Sequence, residues 1–264
     1  MNSLEGEIKK YEMLFLMVVR GSGGSKERRC LWDICGKPMI QWVLEAVKGS
    51  KYPQKIVVCT EDRKIKDVVE NLGFQVIDRP LQTALDPLEA FSTIRRRVAK
   101  PRSLVYDTGF ERFPTIREYV LYCLEKLESY VPDIVNWCSA QSPLITSESI
   151  DRIIEKFFET PDAMSGCCFY HLQDHSAFTI NPKTNCIFPV FYDGFEFSGR
   201  ELYPPLINQG GFSVYGCAEK QNVEARRHAW VWIRPEEGLT VHNEEDLFLA
   251  RCYMKRRLEG KDQL

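Results

Sequence analysis

Met13-Leu14-Phe15-Leu16-Met17-Val18-Val19-Arg20-Gly21-Ser22-Gly23-Gly24-Ser25-Lys26-Glu27-Arg28-Arg29 joins two opposed textures. Its seven apolar residues predict a strand buried on both faces, the pattern of a central parallel strand. The Gly/Ser-rich loop that follows carries Arg20, Lys26, Arg28 and Arg29 within ten residues. Beyond it lie Gly36-Lys37-Pro38 and then Met39, Ile40, Val43, Ala46 and Val47 at helical spacing. A cationic loop thus leaves the carboxyl end of a strand and enters a helix. In open α/β sheets that edge is where ligands bind. Glycines let backbone N–H groups approach a phosphate, and the cations offset its charge. The loop predicts a polyphosphate ligand, cradled by Gly21, Ser22, Gly23, Gly24 and Ser25.

Working outward, the first half alternates strand and helix. Strands are predicted at residues 55–60, 74–77 and 133–138, and helices at 38–48, 63–72, 115–128 and 147–158. Gly73 stops the second helix and Pro38 suits the first turn of its own. This order implies an α/β fold, Rossmann-like, with a mainly parallel sheet covered on both faces. After about residue 162 the texture becomes strand-rich, with strands expected at 163–172, 211–215 and 228–233 and a last helix at 244–258. These predict an antiparallel extension of the same sheet. A basic insertion at about 88–114 and a lid or dimerisation arm at about 173–210 complete a single domain over 1–264.

Composition narrows the partners. Hydrophobic residues make up 44% and charged residues 27% of the 264, as in an ordinary globular protein. A net charge of −2 gives no electrostatic case for a nucleic acid polymer or a membrane surface. The ten cysteines show neither Cys-x-x-Cys nor Cys/His metal spacing. They read as reduced thiols of a cytoplasmic protein, and no leader pattern or membrane-length apolar run accompanies them.

With the loop, the helix start and the βα order in hand, the chain resembles the cytidylyltransferase family that includes CMP-sialic acid synthetase. Arg20-Gly21 and Gly36-Lys37-Pro38-Met39-Ile40 match the two ends of that family's first motif without a gap. Val57-Val58-Cys59-Thr60-Glu61-Asp62, the segment from Asn71 through Arg79-Pro80 to Asp86, and Ser139-Ala140-Gln141-Ser142-Pro143-Leu144 follow in order. Gln209-Gly210-Gly211-Phe212-Ser213-Val214-Tyr215 and Asn243-Glu244-Glu245-Asp246-Leu247 close the series.

The resemblance implies a nucleotide-diphosphosugar transferase fold and transfer of CMP from CTP to an acidic sugar of the sialic or nonulosonic type. The resemblance further implies release of pyrophosphate, assistance by magnesium and a homodimer. Carried over residue by residue, Arg20, Arg29 and Lys26 are the catalytic cations. Arg79, Asp86, Gln141 and Ser142 join the loop in binding the nucleotide. Ser139, Gln209 and Gly210 bind the sugar. Without the resemblance, Arg79 and Asp86 read as surface charges, and Gln141 and Ser142 as caps at a strand end.

Departures from the pattern are as informative. The family's Lys-Asn pair is Arg29-Cys30, which keeps a charge without the compact ammonium. Its metal-binding Asp-x-Asp reads Thr240-Val241-His242. Magnesium prefers hard oxygen ligands, so His242 and Asp246 remain as metal candidates, while Asp246 also suits the first turn of a helix. Trp230 and Trp232 share one strand face and read as core or dimer contacts. Two functions follow: a cytidylyltransferase-like enzyme acting on CTP or another nucleoside triphosphate, or a homologue that binds nucleotide or nucleotide-sugar without transfer.

Overall fold

The computed structural model describes residues 4–21, 28–52, 55–79, 123, 125–127, 130–171, 178–180, 187–189, 207–216 and 227–260. A short helix α1 (Leu4–Ile8) leads into strand β1 (Met13–Val19), of which six of the seven residues are buried. A 3₁₀ turn (Arg29–Leu31) and a two-residue-looped hairpin, β2 (Asp33–Ile34) and β3 (Lys37–Pro38), precede α2 (Met39–Lys48). That hairpin was not predicted. Its turn residues Cys35 and Gly36 both have positive φ, 51° and 87°, as a type I′ turn demands.

Strand β4 (Lys55–Thr60) is followed by α3 (Arg63–Asn71) and β5 (Gln75–Asp78). Helix α3 starts because the Asp62 carboxylate accepts from the amides of Lys64 and Ile65, and it stops at Gly73, whose φ is 82°. Next come β6 (Ile134–Cys138), α4 (Ser147–Glu159) capped by Thr146, and β7 (Ala163–His171). The short strands β8 (Phe178–Ile180) and β9 (Ile187–Pro189) pair with each other. The chain closes with β10 (Ile207–Gly216), β11 (Arg227–Trp232) and α5 (Glu244–Leu258).

One seven-stranded sheet runs β11-β7-β10-β6-β1-β4-β5. Strands β5, β4, β1 and β6 are parallel, as predicted for the first half. The expected antiparallel extension is corrected in part. Only β10 runs antiparallel, to both β6 and β7, and β11 is parallel to β7. The segment proposed as an arm also loses its end, because Ile207–Gly210 belong to β10. The insertion at 88–114 and most of the arm lie outside the described residues.

Alternation along β1 sorts its side chains between two cores. Met13, Phe15, Met17 and Val19 pack with α2 (Ile40, Val43, Leu44, Val47) and α4 (Ile150, Ile153, Ile154). Leu14 and Leu16 face the other way, against Val57, Cys59, Ile77, Val135, Cys123 and Leu127. A third cluster seats α5 (Leu247, Ala250, Met254) on Ile34, Met39 and Leu144. Trp230 and Trp232 meet edge to face at 5.3 Å but remain 51% and 37% exposed, so they are not core residues among the described parts of the chain.

Candidate functional site

Chain order builds the site. From β1 the chain moves outward through β4 to β5, then returns to place β6 on the opposite side of β1. The reversal leaves a crevice at the carboxyl ends of β1 and β6, the switch point where doubly wound sheets bind ligands. A cleft of about 310 Å³ lies there. Val18, Val19, Arg20 and Gly21 line one side, Arg29 and Cys30 the next, and Trp137 to Gln141 the third. Its volume is at the lower end of the range for small-ligand sites.

Two of the predicted cations reach this cleft. Arg20 is exposed at the end of β1, and Arg29 is half-buried at the start of the 3₁₀ turn. Arg28 takes another course. Its Nε donates to both carboxylate oxygens of Asp62, at 2.7 and 2.9 Å. The Asp62 side chain is 9% exposed. Burial pushes its carboxyl up, but the Arg28 hydrogen bond and the α3 amides outweigh that and hold it below the usual range. Cys30 is buried, and burial, then the neighbouring Asp62 charge, pushes its thiol up to about 12. It presents a small neutral group to the cleft and no thiolate.

Gly21 departs from its expected role. Its N–H donates to Glu61 Oε1 at 2.8 Å instead of standing open to a phosphate. A Cβ at Gly21 would overlap Asp62, so the glycine serves close approach between the ends of β1 and β4. Glu61 and Arg79 are 3% and 1% exposed, with Arg79 Nη1 4.0 Å from Glu61 Oε2. Arg79 is therefore no surface charge; it is buried beside Glu61 and is absent from the described lining of the cleft.

On the opposite wall, Ser139 and Gln141 line the cleft, joined by Trp137, which the sequence reading passed over. The Ser139 amide donates to the Gly211 carbonyl at 2.8 Å, and Val241 N donates to the Gln141 carbonyl at 2.8 Å. These bonds fix the turn after β6 to β10 and to the approach of α5. Ser142 is fully buried, 3.4 Å from Thr240 Oγ1, and stands away from the cleft wall. Gly210 is buried where a Cβ would press on Ile233 and Cys168, which explains the glycine by packing. Gln209 lies on β10 opposite Phe169. Ser22, Gly23, Gly24, Ser25, Lys26 and Asp86 lie outside the described residues.

At the start of α5, Asn243 Oδ1 accepts from Asp246 N at 2.8 Å, and Asp246 Oδ2 accepts from His242 N at 2.9 Å. Asn243 caps the helix, and Asp246 ties the preceding residue to its first turn. Magnesium requires hard oxygen ligands. The described lining offers guanidinium, thiol, hydroxyl and amide groups and no carboxylate. Among the described residues no three His, Cys, Asp or Glu side chains gather as a metal site. The described donors of this lining do not fit magnesium.

The mainly parallel sheet thus opens at its switch point onto a cleft lined by two arginines. The solved structures of like fold include a CMP:2-keto-3-deoxy-manno-octonic acid synthetase complexed with CTP, at a TM-score of 0.60 and 14% identity, covering 93% of this chain and 99% of that one. A 4-diphosphocytidyl-2C-methyl-D-erythritol synthase from Anaerococcus prevotii matches at 0.58 and 13% identity, covering 97% and 100%. At these identities the likeness is one of fold.

In sequence, the model of the cytidylyltransferase family matches residues 27–92, which include Arg29, Asp62 and Arg79. A 3-deoxy-manno-octulosonate cytidylyltransferase from Francisella philomiragia is 30% identical over 136 residues, 52% of this chain and 42% of the relative. The enzyme of the same description from Francisella tularensis subsp. novicida is 47% identical over 49 residues, 19% of each chain. The chain thus spans less than half the length of these relatives. In sequence the likeness to cytidylyltransferases covers part of the chain, and in fold it covers nearly all of it. No described helix is long and apolar enough to cross a membrane.

Proposed function

We propose that the chain binds CTP in the cleft between β1 and β6 and transfers CMP to an acidic sugar. The observation that carries this reading is the convergence of Arg20 and Arg29 on the switch-point cleft, the second of them inside the segment that matches the cytidylyltransferase family. In the reaction, a sugar hydroxyl oxygen forms a bond to the α-phosphorus of CTP, and the bond from that phosphorus to the bridging oxygen breaks. Pyrophosphate carries away the electron pair, and the hydroxyl proton passes to solvent. Such transfer depends on positioning and charge stabilisation more than on a protein nucleophile. The guanidinium groups of Arg20 and Arg29 stabilise the charge that develops on the leaving phosphates. Ser139 and Gln141 supply polar groups on the opposite wall.

The relatives favour a 3-deoxy-octulosonic acid as acceptor over the sialic acid of the sequence reading. The test is pyrophosphate release from CTP with 3-deoxy-manno-octulosonate, with N-acetylneuraminate, and with each other nucleoside triphosphate in place of CTP. Release with CTP and the octulosonate is expected. A second reading, nucleotide binding without transfer, rests on the carboxylate-free lining and on the engagement of Asp246 with the His242 amide. Tight CTP binding by calorimetry with no pyrophosphate from any acceptor would establish that reading and overturn the first.

A further inference from the structure

We propose that Asp62 is a positioning residue that sets the two cleft arginines in place, an inference that rests on the nucleotide reading of the cleft. The observations converge from three sides. Asp62 takes both ends of the segment between Gly21 and Arg28. Both of its carboxylate oxygens accept the single Nε–H of Arg28, and its side chain lies against Gly21, where even a methyl group would overlap it. The adjacent Glu61 accepts the Gly21 N–H. Arg20 precedes Gly21, so anchoring the glycine directs the residue that lines the cleft.

At the other end, the Arg28 carbonyl accepts from Leu31 N at 2.8 Å and so opens the 3₁₀ turn that carries Arg29 and Cys30 into the cleft. Holding Arg28 holds the start of that turn. Asp62 is itself fixed, because the same carboxylate caps α3 through Lys64 N and Ile65 N. One carboxylate therefore ties the helix after β4 to the start of one cleft-lining turn while packing on the end of the other. It does not line the cleft, so it acts through Arg20 and Arg29.

D62N separates positioning from folding. Asparagine is as good an N-cap as aspartate, so α3 keeps its start through Oδ1, while the amide nitrogen replaces the Oδ2 that accepts from Arg28 at 2.7 Å and the ion pair is reduced to a neutral contact at Oδ1. We expect D62N to retain its melting temperature within about 2 °C and to weaken CTP binding about tenfold by calorimetry, within the coupling range of groups in one network. R28A, which leaves the cap intact, is expected to weaken CTP binding to the same extent. The double variant is expected to be no weaker than the weaker single.

CTP affinity in D62N within twofold of the unaltered chain overturns the proposal, as do additive single effects. An Arg28 that touches the phosphates itself would be freed by D62N and bind CTP more tightly, which also overturns it. If D62N loses its fold, R28A decides alone, and unchanged affinity there refutes the idea. Failure of the unaltered chain to bind CTP removes the cleft reading as well, and so differs from failure of the positioning role.

Discussion

Gly211 offers a direct probe of how the β6 wall of the cleft is held. Its φ is not in the left-handed region, so an alanine there can adopt the backbone, and the penalty is one of space. A Cβ would overlap Ser142 Oγ, lie 2.5 Å from Ser142 Cβ and lie 3.0 Å from Ser139 Cβ. Rotation of Ser142 about χ1 moves Oγ but leaves its Cβ in the way. The turn or β10 must therefore shift. Forced overpacking of this kind costs about 1–3 kcal/mol. At roughly 2–4 °C per kcal/mol for a chain of this size, G211A is expected to melt about 2–12 °C lower by calorimetry. The same shift strains the Ser139 N to Gly211 O bond of 2.8 Å, so CTP binding weakens with it. S142G removes both of the nearest obstructing atoms at an intrinsic cost of about 0.5–1 kcal/mol. Combined with G211A it is expected to recover at least half of the lost melting temperature. A single variant that melts within 1 °C of the unaltered chain, or a double variant that shows the plain sum of the two losses, refutes the packing argument.

Three further outcomes follow from the same geometry. R20A and R29A are each expected to weaken CTP binding about tenfold or more, as for a lost charge-assisted contact; calorimetry at two salt concentrations, with a flatter salt dependence in each variant, checks the assignment. Because the Asp62 carboxyl is depressed in the folded chain, its contribution is complete above its unfolded value near 3.9 and is lost as pH falls through the folded value. The melting-temperature gap between the unaltered chain and D62N, at most about 2 °C at neutral pH, is expected to close between pH 5 and pH 2, and a gap that widens on acidification contradicts the linkage. Asp151 has the opposite sign, since burial raises its carboxyl despite the Ser50 and Lys51 contacts, and it lessens the acid loss. Cys30, with its thiol pushed up to about 12, is expected to resist iodoacetamide at pH 8 while the exposed Cys35 and Cys252 react first, read by mass spectrometry of the labelled peptides.

Legibility in the sequence divides along a physical line. Elements whose signal is local were readable: β1 from its apolar run, α4 from Ile150, Ile153 and Ile154 at helical spacing, α5 from Asn243 and the apolar positions behind it. Strand direction beyond β6 was legible only in part, because hydrophobic alternation carries no sign: β10 is antiparallel to β6 and β7 as an antiparallel extension requires, while β11 runs parallel to β7. Trp137 was missed although period two placed it with Val135 at the end of a strand beside the switch point.

The cations of the loop show the same limit more sharply. Read along the chain they form one set. In space Arg20 and Arg29 face the cleft, while Arg28 is drawn to Asp62, 34 residues away. The signal that separates them lies in the parallel register. Val19 is opposite Thr60, so the residues that follow each strand end, Arg20-Gly21 and Glu61-Asp62, emerge side by side. Two carboxylates beside a cationic loop must each take a partner or repel the ligand the loop would hold. Glu61 takes the Gly21 amide and Asp62 takes Arg28, and both are nearly buried as a result. Among the described residues, fewer cations face this cleft than a count along the loop suggests. Whatever anion it binds is met, among the described residues, by two arginines set in place by two acids.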